Sequence, residues 1–128
     1  MKSNVLNPAK ILIIGITILI LNSCEKEIPK KNSASIVFWY NKTTADRSKN
    51  GIFYYFVRGK RVGIDTIKQY WDEAPACGSK NAITYKYEMG ESTEETILIE
   101  VRSKFDHILN NVSISVKKDS CTSYRVNY

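Results

Sequence analysis

Side chains that commonly carry out catalysis are scarce in this chain of 128 residues. His107 is the single histidine, and it follows Asp106 in a segment without a nucleophile motif such as Gly-x-Ser-x-Gly. The three cysteines form no Cys-x-x-Cys pair of the kind that holds zinc, and no glycine-rich loop has the spacing that cradles a phosphate. The sequence therefore predicts no catalytic residue, no metal site, no cofactor and no enzymatic activity.

Carboxylates cluster in two places. Asp72 stands beside Glu73, and a second group, from Glu88 to Glu95, lies on both sides of Gly90. A glycosidase needs two carboxyl groups that flank the sugar bond to be cleaved. Because the second group surrounds a predicted turn, we interpret it as the solvated tip of a hairpin.

The first cysteine, Cys24, follows a segment with the pattern of a secretion signal. Residues 1–10 carry two lysines and no acid, and residues 11–21 are almost entirely aliphatic. As a helix, the apolar run would span about 16 Å, which is too short for a bilayer core of about 30 Å. Residues 1–23 are therefore predicted to be a signal peptide and not a transmembrane helix.

The residues at the end of this segment, Leu21 to Cys24, resemble the bacterial lipobox, although Asn22 departs from its usual small or aliphatic residue. The small residue Ser23 precedes a thiol that can carry diacylglycerol before the signal peptide is cleaved. The resemblance implies a mature protein that begins at Cys24 and carries fatty acyl chains such as palmitate. Each buried methylene adds about 0.8 kcal/mol to membrane binding, so several chains form a durable anchor.

The segment after the predicted cleavage site has the composition of a tether. Residues 24–34 are polar and aperiodic, which is typical of a linker between a lipid and a folded domain. The domain itself is predicted over residues 35–128. These boundaries predict an outer-membrane lipoprotein of the cell envelope, on its periplasmic or surface face, with the membrane as a partner through the lipid anchor.

From residue 35 onward, segments rich in Ile, Val, Thr and aromatic residues alternate with clusters of Gly, Asn, Ser and Asp. No segment has the pattern of a helix. We predict an all-β fold, a seven-stranded antiparallel β-sandwich of immunoglobulin-like or transthyretin-like type after the N-terminal signal helix, with a small closed barrel as the alternative. The predicted strands are 35–40, 52–58, 61–67, 82–89, 96–102, 112–117 and 122–128.

Two connections between these strands have recognisable turn chemistry. Gly59 and Lys60 separate the second strand from the third with glycine first, as a type II′ hairpin turn prefers. The segment from Gly90 to Thr93 is expected to turn between the fourth and fifth strands. The second and third strands should therefore pair with each other.

Once Cys24 is assigned to lipid, Cys77 and Cys121 remain as an even pair in a compartment that permits oxidation. We predict a disulfide between them, and two free buried thiols are the alternative. The bridge would close a loop of about 45 residues and would stabilise the fold by about 4 kcal/mol in the chain-entropy model.

Aromatic and basic side chains give the strongest indication of a binding surface. Four aromatic residues follow one another from Phe53 to Phe56, and in a strand at least two of them must point outward. Basic residues come directly after them, and a second aromatic pair lies in a later loop. The alternative is that the rings only cover a thin sandwich. The candidate binding residues are Tyr55, Arg58, Lys60, Arg61, Tyr70 and Trp71.

Several short motifs are spread along the domain. They are Phe38-Trp39, Val62-Gly63, Pro75-Ala76-Cys77-Gly78, Gly90 after an alternating strand, and Cys121-Thr122. Together they resemble a family of small secreted bacterial β-sandwich lipoproteins of unknown function, over about residues 35–126. The resemblance implies the fold, export and the pairing of the two cysteines, and it implies no activity.

The charge balance is modestly positive. Lys and Arg number 19 against 13 Asp and Glu, and without Lys2 and Lys10 of the leader the excess is 17 minus 13, or +4. A balance of this size predicts no nucleic-acid partner.

We predict a monomeric, non-catalytic binding module with a protein or glycan partner. The alternative is a small periplasmic inhibitor or immunity-type lipoprotein that acts on another enzyme. A binding module predicts an exposed aromatic face on a sheet, whereas an inhibitor predicts a protruding loop with one key side chain.

Overall fold

The computed structural model describes residues 28–49, 51–66 and 68–128. The predicted signal peptide and the lipid attachment site at Cys24 lie outside these ranges, so both stay predictions. Within the ranges, no helix has the length and apolar character needed to cross a membrane. Residues 28–31 are exposed and lead without regular structure into the first strand.

Strands dominate the described chain, which confirms the all-β prediction. Each of the seven predicted strands overlaps one in the structure. In chain order the elements are β1 (Asn32–Trp39), α1 (Lys42–Ser48), β2 (Phe53–Val57), β3 (Lys60–Asp65), β4 (Ile83–Gly90), β5 (Glu94–Ser103), β6 (Ile108–Lys117) and β7 (Cys121–Arg125).

The strands form two sheets, a three-stranded sheet of order β4-β1-β7 and a four-stranded sheet of order β3-β2-β5-β6. The sequence predicted antiparallel pairing throughout. That prediction was wrong for one pair, because β7 runs parallel to β1. The turn after β6 returns the chain beside the start of β1, where Cys121 pairs with Ser35, and the two strands then run in the same direction to the pair of Trp39 and Arg125.

The core lies where the inner faces of the two sheets meet. Alternation along β2 buries Phe53, Tyr55 and Val57. From the other sheet, Phe38 stacks on Tyr55 with ring centroids 4.5 Å apart. Both rings are nearly inaccessible and belong to one continuous apolar cluster. Burying such rings is the largest favourable contribution to a domain of this size.

The helix α1 was not predicted. Its N-cap is local, but its buried contact is with a distant segment, which a local pattern does not contain. Asn41 caps its first turn by accepting a hydrogen bond from the backbone N–H of Thr44 at 3.1 Å. The Thr44 hydroxyl is buried and donates to the carbonyl of Val126 at 3.3 Å. At the other end, Lys49 has a positive φ of 32°, the left-handed conformation that commonly ends helices.

The hairpin of β2 and β3 is confirmed, but its turn lies one residue earlier than predicted. Arg58 and Gly59 occupy the turn with φ of 51° and 77°, and Val57 pairs with Lys60. Two positive φ values are the signature of a type I′ turn, whose twist matches that of the strands. The prediction of a type II′ turn at Gly59 and Lys60 was therefore wrong.

One end of the domain, here the tether end, is where the chain enters β1. It comprises residues 28–31, the β2–β3 turn over 58–59, the β4–β5 connection over 91–93 and the β6–β7 turn over 118–120. The backbone N–H of Asp119 donates to the carbonyl of Ser33 at 2.8 Å, which ties the last of these to β1. The β4–β5 connection joins strands of different sheets, so the interpretation of the acidic cluster as a hairpin tip was wrong.

The opposite end, here the distal end, comprises α1, the β5–β6 turn over 104–107 and the final residues 126–128. The backbone N–H of Val126 donates to the carbonyl of Trp39 at 2.8 Å, which fixes this final segment beside the end of β1. Phe53, at the start of β2, contacts Tyr128 edge to face with centroids 6.5 Å apart.

The predicted disulfide is confirmed. Cys77 and Cys121 are bonded, with Sγ atoms 2.07 Å apart and Cα atoms 5.8 Å apart. The bridge fastens the loop before β4 to the start of β7. It therefore stabilises the tether end.

Candidate functional site

The four consecutive aromatic residues divide between the two faces of β2. Tyr54 and Phe56 lie on the outer face and remain partly exposed, which confirms that two rings point outward. Tyr55, a predicted binding residue, is 0% exposed. Its side chain packs between the sheets, so the assignment of Tyr55 to a binding surface was wrong.

The hydroxyl of Tyr55 belongs to a polar cluster at the edge of the core. It donates to Asp65 at 3.5 Å, and Tyr40 donates to the same carboxylate at 3.2 Å. Burial, and then the negative charge of Asp65, raises the pKa of both tyrosines well above the ordinary value. The cluster anchors the end of β3 to β1 and β2.

Arg58, the second predicted binding residue, is held in a structural network at the tether end. It donates to the Tyr87 hydroxyl at 2.9 Å, and that hydroxyl donates to Glu95 at 2.7 Å. The guanidinium also pairs with Glu95 at 3.7 Å. Burial, and then the bond to Glu95, raises the pKa of Tyr87, while Arg58 opposes that shift. This arginine therefore ties the β2–β3 turn to β4 and β5.

Arg61 lies apart from Arg58, on the outer face of the four-stranded sheet. Its guanidinium carbon is 5.7 Å from the centroid of the Tyr54 ring, within the range of a cation–π contact. Lys60, between the two arginines, is exposed at the turn. The three basic residues that the sequence grouped together therefore occupy different environments.

The outer face carries a shallow depression of about 170 Å³, here the outer groove. Its lining combines two aromatic rings, two cations, a hydroxyl and a carboxylate. The lining residues are Tyr54, Phe56, Arg61, Ser103, Lys104 and Asp106.

The carboxylate of the outer groove is already engaged by a neighbouring arginine. Arg102 bonds to Asp106 at 3.0 Å and to Glu100 at 2.9 Å, and its guanidinium carbon lies 4.6 Å from the centroid of the Phe56 ring. Arg61 and Lys104 have no carboxylate within ion-pair distance among the residues that the structure describes. The groove therefore presents two cations that no described acid neutralises.

A second depression of about 230 Å³, here the distal cleft, lies on the other side of Lys104. Aromatic and aliphatic side chains form much of its wall, and lysines, serines and His107 complete it. The lining residues are Ser48, Lys49, Gly51, Ile52, Phe53, Ser103, Lys104, Phe105, His107, Leu109 and Tyr128. Sequence reasoning missed this site, since its walls come from segments far apart in the chain.

The β5–β6 turn that separates the groove from the cleft is internally bonded. The Ser103 hydroxyl accepts hydrogen bonds from the backbone N–H groups of Phe105 and His107, both at 3.3 Å. The Phe105 side chain is 70% exposed, and the Lys104 ammonium lies 4.9 Å from its ring centroid. The turn thus holds an exposed ring and a cation at the boundary of both depressions.

The predicted pair Tyr70 and Trp71 lies elsewhere at the distal end. The backbone N–H of Trp71 donates to the carbonyl of Tyr40 at 3.0 Å, and Tyr70 is 43% exposed. Neither residue lines the outer groove or the distal cleft. The structure therefore does not join this pair to Arg61.

The acidic cluster of the sequence is distributed among ion pairs and hydrogen bonds at the tether end. Glu88 lies 3.6 Å from Lys31, and Glu94 lies 3.9 Å from Lys117. Across the described ranges, no three His, Cys, Asp or Glu side chains are close enough to hold a metal ion.

In comparisons with known proteins, no protein-family model, no curated protein and no solved structure matches the chain.

Proposed function

We propose that the protein is a lipid-anchored lipoprotein of the cell envelope whose domain, a β-sandwich, is a non-catalytic binding module. The anchor rests on the leader and on Ser23-Cys24. The sandwich is supported by two sheets that contribute to one apolar cluster. Membership in the lipoprotein family that the sequence resembles is part of this proposal.

The main support for a binding role is that the outer groove places cations without an acidic partner beside aromatic rings on the outer face of the sheet. Arg61 and Lys104 stand beside Tyr54 and Phe56, and the groove's own acid, Asp106, is held by an arginine. Protein interfaces favour aromatic rings and arginine, because rings supply contact area at low entropy cost and guanidinium bonds carboxylates directionally. We place the contact surface at the outer groove and the adjoining turn over 104–107.

An acidic protein segment suits this surface better than a glycan does. Sugars stack on the open face of an aromatic ring, whereas a guanidinium already lies over Tyr54 and another over Phe56. A carboxylate can bond to the Arg61 guanidinium while the ring stays covered. The proposed partner is therefore a protein that presents acidic side chains.

A charge-matched pair of double variants of the full chain tests this surface. Arg61→Ser with Lys104→Gln removes two cations from the outer groove. Lys60→Ser with Lys118→Gln removes two exposed cations from the β2–β3 turn and the tether end. Capture of envelope proteins, quantified at low and high salt, should fall only in the first variant and should lose its salt dependence there. Equal capture by both variants would show that the outer groove is not the contact surface.

The lipid anchor has its own test. Metabolic labelling with a fatty-acid analogue should tag the wild-type chain, and Cys24→Ser should abolish the tag and release the protein from membranes. Labelling that survives Cys24→Ser would overturn the anchor and would leave the binding surface untouched.

One observation favours the second candidate, an inhibitor or immunity-type lipoprotein. Phe105 is 70% exposed on a short turn at the distal end, which is the kind of single protruding side chain that an inhibitor inserts into an enzyme. Phe105→Ser should abolish capture if this ring is the central contact, whereas Arg61→Ser should then weaken it only slightly. The reverse order of effects supports the binding module.

A further inference from the structure

The distal cleft differs from the outer groove in both shape and charge. Its apolar floor consists of Phe53, which is buried, and of Ile52 and Leu109, which are half-buried. Lys49 and Lys104 are exposed and form its rim. No Asp or Glu side chain belongs to its described lining. A pocket that combines an apolar floor with positive charge at its rim selects ligands that have an apolar body and a negatively charged group.

The nearest acid on the β5–β6 turn is directed away from this cleft. Asp106 lines the outer groove and bonds there to Arg102 at 3.0 Å. The charge of Asp106 therefore neutralises that of Arg102, and the side of the turn that faces the cleft stays positively charged. Among the described residues, neither Lys49 nor Lys104 has a carboxylate within ion-pair distance.

The walls of the cleft are fixed before any ligand arrives. On one side, the Asn110 side chain donates to the carbonyl of Asn127 at 2.8 Å and accepts from its N–H at 3.2 Å. The adjacent main-chain oxygen of Tyr128 accepts from Arg47 at 3.1 Å. These bonds tie the final segment to both β6 and α1. A preformed wall lowers the entropy cost of binding.

From this arrangement we infer that the distal cleft binds a small organic monocarboxylate with a compact apolar body. The carboxylate lies at the rim between Lys49 and Lys104, and the apolar body lies on Ile52 and Leu109. A volume of about 230 Å³ is below the roughly 300–1,000 Å³ typical of sites for drug-sized ligands, so the ligand is small. This site overlaps the proposed protein contact within residues 103–107. Lys49, Ile52 and Leu109 do not line the outer groove, so binding at the cleft is measured through them without a protein partner.

The probe pair is 4-phenylbutyrate and 4-phenyl-1-butanol, which share an apolar body and differ in charge. The full chain, in lipid nanodiscs, carries methyl labels on isoleucine, leucine and valine. The acid should shift the methyl signals of Ile52 and Leu109 saturably while those of Ile36, in the core, stay unchanged. The alcohol reports partition into the lipid and apolar contact alone, and it should bind several-fold more weakly.

The variants separate the cleft from the outer groove and from general charge effects. Lys49→Asn keeps a residue that tolerates the left-handed conformation and removes a cation that does not line the outer groove. It should weaken binding of the acid about two- to fivefold, and Lys104→Gln should do the same. Lys118→Gln, at the other end of β6, removes the same charge and should have no effect. Arg61→Ser, which disrupts only the outer groove, should also leave the affinity for the acid unchanged.

The inference is overturned if the acid leaves the Ile52 and Leu109 signals unmoved, if the alcohol binds as tightly as the acid, or if Lys118→Gln weakens binding as much as Lys49→Asn. These comparisons need no partner protein. Failure of the outer groove to bind an envelope protein would therefore leave this result unaffected.

Discussion

Two charged clusters of the domain, the Arg58 network at the tether end and the outer groove, use their charges differently. In the network the cation meets an acid, since Arg58 pairs with Glu95 and both bond to the Tyr87 hydroxyl. Around the β5–β6 turn, Arg61 and Lys104 face the solvent-exposed outer groove without a described acidic partner. A cluster of charge in a sequence therefore does not identify a binding surface, and the surface proposed here rests on unpaired charge beside outward-facing rings.

Removing the disulfide should have the largest effect, because it loosens the tether end. Cys77 and Cys121 are 44 residues apart in sequence, and a loop of that length corresponds to about 4 kcal/mol of unfolding free energy in the chain-entropy model. Cys77→Ser with Cys121→Ser should lower the free energy of unfolding in urea by about 3–4 kcal/mol. Amide exchange should accelerate first over residues 118–121.

The control is the wild-type protein under reducing conditions, which should behave like the double variant. A loss below about 1 kcal/mol would indicate that the tether end is held by its ion pairs and not by the bridge.

Alkaline pH should destabilise the fold more through Tyr55 in the core than through Tyr87 at the tether end. The folded-state pKa of Tyr55 is raised by burial, so above about pH 10 the unfolded chain releases protons that the folded chain keeps. Stability is therefore fully present below about pH 10 and falls as the pH rises further. Tyr55→Phe should make that fall shallower by at most about 1.4 kcal/mol per pH unit. Tyr87→Phe should do so by less, because Arg58 opposes the rise in the pKa of Tyr87.

Unfolding in urea between about pH 9 and pH 11 measures both slopes. If Tyr87→Phe flattens the dependence of unfolding free energy on pH more than Tyr55→Phe does, Tyr87 at the tether end is the more strongly perturbed tyrosine, which would contradict this prediction.

The smallest expected effect on stability is the difference in melting temperature between variants of Arg58 and Arg61, the two arginines of the hairpin. Arg58→Ser should lower the melting temperature by a few degrees, because it removes the bond to a tyrosine that is 7% exposed. Arg61→Ser should leave the melting temperature unchanged, since exposed charges contribute little to stability. Equal melting of both variants would show that the network around Glu95 is dispensable.

The sequence was sufficient for the strands but not for the orientation of β2. In Phe53 to Phe56, each face receives one Phe and one Tyr, so ring polarity does not distinguish inside from outside. Val57 resolves the choice, because it shares the face of Tyr55 and ends the strand in the core. With that residue as the reference, the burial of Tyr55 was predictable.

The distal cleft and α1 could not be predicted from local sequence patterns, for a different reason. Both depend on contacts between distant segments, such as the bond from Thr44 to Val126 and the edge-to-face contact of Phe53 with Tyr128. The parallel pairing of β7 with β1 likewise depends on which sheet the chain joins after β6. Alternation indicates which residues are buried but not which strand lies next to which.

Site-directed photocrosslinking in living cells tests whether partners bind at the outer groove and its turn and not at the hairpin tip. A benzoylphenylalanine replaces either Phe105, on the β5–β6 turn, or Lys60, at the exposed β2–β3 turn. We expect a discrete protein adduct from position 105 that is lost when Arg61→Ser and Lys104→Gln are added, and no adduct above background from position 60. An adduct from position 60 without one from position 105 would contradict this expectation.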